Sequence, residues 1–233
     1  MYPLIRPIIL VFFAHICMIA KADVYLVVYA TYEGKTGHTG IAVDNYEIRI
    51  RDTGSADNWS YVNDTVRTHS LTYFDLWPKS DRKMEILKDT EPDYFRLPNS
   101  SAERSITIES LLSHGIPHKE GYPCDGLLRI RTSPTEDYLL KAFLDKKSSE
   151  KRPFNTRKYN CTDYVVDAFN FITGQRLKAR EFIPMRLSST PNKFYKTILK
   201  EYARAEVLKD ASGKVQGTFV RERILYKFLN KHS

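Results

Sequence analysis

The sequence predicts an α+β fold, and three observations carry that expectation. Short β-branched and aromatic segments crowd the first third of the chain. Amphipathic segments with recognisable helix caps crowd the last half. The two kinds do not alternate as βαβ units would. No period of about 20–50 residues recurs, which excludes a repeat architecture.

Met1–Ala22 reads as a leader rather than part of that fold. Arg6 precedes the uncharged apolar run Ile8–Ala20, and Ala20-Lys21-Ala22 follows with the small-x-small pattern that a signal peptidase cuts. The run falls short of the roughly 20 apolar residues a membrane span needs. The expected product is an exported chain, periplasmic or extracellular. Of the 233 residues, those from 23 to 233 number 211, which suits one domain with one core.

Loss of Arg6 and Lys21 lowers the formal charge from +8 by two, to +6. The surplus gathers in the second half, at Lys146, Lys147, Lys151, Arg152, Arg157, Lys158, Arg176, Lys178 and Arg180. Such a surface is either merely solvated or attracted to an anionic cell envelope. No nucleic-acid motif accompanies it, so that partner is not expected.

Along the chain, Asp23–Thr31 reads as a strand and the segment 34–37 as a turn. His38–Asp44 reads as a second strand, Asn45-Tyr46 as a tight connection and Glu47–Arg51 as a third strand. Asp52–Arg67 is polar and expected as loop. His69–Trp77 is a further strand, ended by Pro78, and Lys79–Arg104 is expected as loop. Ser105–Ser113 reads as a short helix closed by Gly115, and Gly126–Arg131 as a strand. Ser133-Pro134-Thr135-Glu136 supplies a cap, a first-turn proline and a capping box for the next helix. Thr162–Thr173 is the clearest helix, with Gly174 at its end. Thr190-Pro191 opens another. The tail is expected as a hairpin, Glu206–Lys209 with Val215–Val220, followed by a short basic helix or loose end.

Two cysteines follow the leader, Cys124 and Cys161. In an oxidising compartment the pair is either a disulfide or two free thiols. Cys161 falls in the first turn of its helix, on the face shared with Val165, Ala168, Phe169 and Ile172. There the unpaired N–H groups and positive dipole end favour a thiolate. A compact buried cysteine would have the same setting. His38 opens a strand on which His38, Gly40 and Ala42 share a nearly bare face. That face offers the cysteine-bearing helix a close approach, and a histidine there is suited to form a Cys–His pair.

A third group is needed to fix the imidazole's tautomer. Asp75 shares a strand face with His69, Leu71, Tyr73 and Trp77. It either orients His38 or caps the turn before Pro78. His69 is the alternative, and Asp52 a weaker one. His114 and His118 have a metal-ligand spacing, but Gly115 and Pro117 break any helix between them. No metal and no cofactor is expected.

Gly37-His38-Thr39-Gly40-Ile41-Ala42-Val43, followed much later by Asn160-Cys161-Thr162-Asp163-Tyr164-Val165 opening a helix, resembles the circularly permuted papain-like cysteine hydrolases. This superfamily includes cell-wall peptidases and amidases and lecithin–retinol acyltransferase. The resemblance covers roughly Asp23–Gly174, and Ser188–Tyr195 is similar to a segment of exported members. It implies an antiparallel sheet packed against the helix carrying the cysteine, which the C-terminal helix and hairpin read above would extend. It also implies Cys161 as nucleophile and His38 as base. Many relatives place the third polar residue about a dozen positions after the histidine, where this chain has Arg49–Arg51 and no suitable group.

The function expected from these features is an exported cysteine hydrolase cleaving a peptide or peptidoglycan-type amide through a thioester. A lipid or other acyl transferase of the same superfamily is the enzymatic alternative. A non-catalytic exported binding domain, with both cysteines idle or bonded, is the other. Oligomeric state is not legible.

Overall fold

The computed structural model describes residues 22–33, 35–52, 54, 61–79, 88–98, 105–116, 121–183 and 186–216. The leader up to residue 21, His118 and the expected basic tail lie outside the described residues. Strands β1 (Ala22–Tyr29), β2 (His38–Asp52), β3 (Tyr61–Pro78), β4 (Pro92–Leu97), β5 (Gly126–Thr132) and β8 (Glu206–Lys209) form one antiparallel sheet, ordered β4-β3-β2-β1-β5-β8. Helices α1 (Ile108–Ser113), α2 (Pro134–Ser149), α3 (Cys161–Thr173) and α4 (Pro191–Glu201), with the hairpin β6 (Arg180–Ile183) and β7 (Arg186–Ser189), complete an α+β architecture.

Alternation along β1 and β2 divides the core between the two faces of the sheet. Val24, Leu26, Val28, Ile41, Val43, Phe74 and Leu76 meet Leu140 and Leu144 of α2, Val165, Ala168 and Phe169 of α3, and Phe194 and Ile198 of α4. On the opposite face Tyr25, Val27, Ala42, Tyr73 and Leu127 pack with Leu111 of α1 and with Cys124. Each such side chain contributes about 1.5–3 kcal/mol when fully buried, so these two layers hold the sheet.

Several expected elements change. Asn45-Tyr46 is not a turn: β2 runs on through a register shift between Asp44 and Tyr46, and pairing resumes at Tyr46 with Arg67. A bulge there replaces the turn that the polar dipeptide suggested. Residues 61–67, expected as loop, are strand. They pair with the outer part of β2 in a ribbon whose Ile48 and Ile50 are 71% and 70% exposed. A ribbon clear of the core shows little burial pattern in its sequence. β4 was hidden by its flanking prolines, which an edge strand tolerates. The β6–β7 hairpin lies in a stretch expected to connect two helices. β8 pairs with β5; of the expected partner strand, the described residues 215 and 216 are not strand, and the rest lies outside the described residues.

The starts of α2, α3 and α4 were legible, whereas α1 begins at Ile108 and not at Ser105. Ser133 and Glu136 form the expected capping box of α2. Asn160 caps α3 by accepting the N–H groups of Thr162 (2.8 Å) and Asp163 (3.2 Å), and Gly174 ends it at φ 66°. Only a residue tolerant of positive φ closes a helix so cheaply.

Candidate active site

The register of β2 on β3 builds the site. Gly40 pairs with Asp75, and Ala42 with Tyr73, so His38, Asp75 and Tyr73 share one side of the sheet. His38 Nε2 lies 2.9 Å from Asp75 Oδ2, and neither side chain is exposed at all. The Tyr73 hydroxyl donates to the same carboxylate oxygen at 3.0 Å. Trp77 sets its ring at right angles to the imidazole, with centroids 4.2 Å apart. The imidazole is therefore held by a carboxylate and by packing, as an orienting shell requires.

The bare face beside His38 serves a different neighbour from the one its sequence suggested. A Cβ built on Gly40 would stand 2.0 Å from the Tyr73 hydroxyl and 2.4 Å from Tyr73 Cζ. The gap thus admits the tyrosine that reaches Asp75, whereas the body of α3 packs on the other face, against Ile41 and Val43. That choice has a plain cause. The apolar stripe of α3 gains more from branched side chains than from glycine.

Cys161 is the first residue of α3 and His38 the first of β2, and the two element ends meet. Thr39 faces α3, its Oγ1 lying 3.4 Å from Thr162 Oγ1. Burial alone would push the Cys161 thiol up. The charge of His38, a hydrogen-bonding interaction with its ring, and the N–H and hydroxyl of Thr39 together take it below the ordinary thiol value. For His38, burial alone would lower the pKa. Cys161 and then Asp75 outweigh it and raise the value to about 9. Both shifts favour a thiolate–imidazolium pair. Nδ1, the ring nitrogen not bonded to Asp75, is buried and makes no hydrogen bond of ordinary geometry, which leaves it to Cys161.

Asn160 does more than cap α3. Its Nδ2 donates to the carbonyls of Thr156 (2.9 Å) and Ser189 (3.0 Å), and the Asp163 carboxylate accepts its N–H at 3.1 Å. Ser189 donates its hydroxyl to Asp163 Oδ1 at 2.5 Å. The first turn of α3 is therefore tied to β7, which fixes where Cys161 sits.

Cys124 is a second free cysteine, fully buried. Burial pushes its thiol up to about 11, the reverse of Cys161. No disulfide joins the two. His69 is exposed on β3, six residues from Asp75, and Asp52 pairs with Tyr61 at the far end of the β2–β3 ribbon, so neither stands beside His38. His114 is exposed and shares its Nδ1 with the Ser113 hydroxyl.

Sequence reasoning missed Tyr73 and Thr39 as members of this cluster. Tyr73 was visible as a face-mate of Asp75, but only the cross-strand register reveals that Gly40 makes room for it. A groove of about 530 Å³ lined by Glu91, Asp93, Tyr94 and Lys151, among others, contains none of Cys161, His38 and Asp75. Among the described residues no helix is long and apolar enough to cross a membrane. No protein-family model, no curated protein and no solved structure matches this chain.

Proposed function

We propose that the protein is an exported cysteine hydrolase that cleaves a peptide or peptidoglycan-type amide. The observation that carries this reading is the buried His38–Asp75 pair at 2.9 Å beside a cysteine whose thiol is lowered although it is buried. A cysteine kept only for packing resembles Cys124, raised by burial with no imidazole to offset it. The order of histidine strand and then cysteine helix, as in the permuted papain-like hydrolases, supports the same reading.

In this mechanism the Cys161 thiolate attacks the amide carbonyl carbon. The oxyanion forms near the first turn of α3, where the cap takes the N–H groups of Thr162 and Asp163 and not that of Cys161. The free amide of Cys161 is then the natural oxyanion donor. His38, protonated in the resting pair, gives its proton to the leaving amine as the C–N bond breaks, and a thioester remains. The neutral imidazole next takes a proton from water, whose oxygen attacks the thioester and releases the acid. Asp75 keeps the ring oriented and stabilises its charged form.

The test is to trap the thioester. The protein is incubated with peptidoglycan fragments, peptide amides and acyl esters, quenched in acid, and Cys161 is examined by mass spectrometry. An acyl adduct on Cys161, absent in Cys161→Ser and released to water, supports the proposal. Transfer of the acyl group to an added acceptor in preference to water would assign the acyl transferase instead. No adduct from any of the three classes would leave the binding-domain reading in possession.

A further inference from the structure

At the opposite end of β1 from the cysteine lies a second buried charged cluster, which the proposed chemistry does not use. Asp23 stands one residue outside the β1–β2 ladder, which begins at Val24 with Val43. Its N–H therefore has no strand partner on that side and donates instead to Asp44 Oδ2, at 2.8 Å. Asp23 and Asp44 are both fully buried. Arg67 bridges them, with Nε 2.7 Å from Asp44 Oδ2 and Nη1 3.0 Å from Asp23 Oδ2.

Few of the cations in this cluster reach the Asp44 carboxylate itself. Arg129 and Arg131 approach Asp23 at 3.8 and 3.7 Å, and both also pair with Glu206. Lys141 gives its ammonium to the Asp44 carbonyl and to Asn45 Oδ1, at 2.6 and 2.7 Å, and not to the carboxylate. Among the described residues Arg67 is the one cation paired directly with the Asp44 carboxylate, and it is shared with Asp23, while Lys141 acts on it from farther off. Its Oδ1 is buried without a hydrogen-bond partner. Burial raises its pKa to about 6 despite Arg67. A buried carboxylate with an orphan oxygen and a shared counter-ion is costly unless another donor arrives.

The sequence places a source of that donor at the same atom. Ala20-Lys21-Ala22 is the small-x-small pattern of leader cleavage, and the bond it marks is the one before Asp23. We propose that leader cleavage makes Asp23 the N-terminal residue and that the buried Asp44 carboxylate binds its new ammonium group. Water adds across the Ala22–Asp23 amide under a leader peptidase. Ala22 departs with the carboxylate, and the Asp23 nitrogen takes up a proton.

The nitrogen keeps its place 2.8 Å from Asp44 Oδ2, but it now carries three donors and a full charge. One donor holds Oδ2, and another is free to satisfy the orphan Oδ1. The cost is the pairing of Ala22 with Thr132, the outermost pair of the β1–β5 ladder. A charge-assisted bond to a buried carboxylate outweighs the loss of one terminal alanine. Processing therefore completes the fold at this end of the sheet. The inference rests on the export reading and is independent of the chemistry at Cys161.

The experiment begins with the full precursor expressed in a secreting bacterial host. Intact mass and N-terminal sequencing of the exported product should give Asp23 as the first residue. A retained leader, or cleavage at another bond, overturns the inference without touching the assignment of Cys161. The exported product is then labelled with an amine-reactive ester near neutral pH, beside a variant with one alanine inserted ahead of Asp23. The Asp23 amine should label at least tenfold more slowly, and Asp44→Asn should remove most of that protection. Asp44→Asn should also lower the Tm of the Asp23 product more than that of the extended variant. Equal labelling of the two N-termini overturns the inference even where Asp44→Asn fails to fold. Equal loss of Tm in both chains overturns it where the variant folds.

Discussion

Replacing Asp75 by Asn keeps the shape of the side chain and removes the charge that holds His38. The bond lost is a charge-assisted one at 2.9 Å between two fully buried groups. Bonds of that kind contribute about 1.5–3 kcal/mol, and each pKa unit corresponds to about 1.4 kcal/mol. The His38 pKa should therefore fall by roughly one to two units from its value of about 9. Ring resonances of labelled His38, followed by NMR across pH, measure this directly. The sign for stability follows from the same shift. A histidine raised in the folded state contributes stability that is complete below its unfolded pKa and is lost as pH rises through about 9. Urea unfolding should thus show the wild type exceeding Asp75→Asn at neutral pH, with the gap closing in alkali. An unchanged His38 titration in Asp75→Asn would refute the coupling.

Gly40→Ala places a methyl 2.0 Å from the Tyr73 hydroxyl; it should lower stability by at least the ~1–3 kcal/mol of an overpacked core and reduce turnover, as calorimetry and activity would record. Cys161→Ser should abolish thioester formation while changing stability by only about 1 kcal/mol, since no disulfide is lost; a large fall in Tm would point to a structural role. Burial raises Asp137 to about 7, against bonds from Thr132 and Tyr46 that lower it. The folded state then binds a proton that the unfolded state releases, so this residue makes stability fall as pH rises from about 4 to 7, and Asp137→Asn should flatten that slope in urea titrations.

Much of the site was legible because its signals are local. A helix start is written in four residues, as at Asn160–Asp163 and Ser133–Glu136, so the position of Cys161 could be read directly. The parity of β3 singled out Asp75 as an acid among aromatics. What was not legible depends on register. Nothing within β2 says that Gly40 faces Asp75, and so the bare face was assigned to a helix when it belongs to Tyr73. The outer ribbon of β2 and β3 was misread for a related reason. Ile48 and Ile50 face solvent there, and burial cannot pattern a segment that is not buried. β8 went to β5 because a four-residue strand gains more from an existing sheet edge than from an isolated hairpin.

On the reading proposed for this site, Cys161 and His38 form an ion pair at neutral pH. The most direct measurement is the thiolate ultraviolet absorbance of Cys161 across pH, taken as the difference between wild type and Cys161→Ser, and repeated in His38→Ala. In the wild type the thiolate should form below the ordinary thiol pKa of roughly 8.5, and it should be lost at neutral pH without His38. A Cys161 that ionises only at or above that value, with the same curve in both proteins, would contradict it.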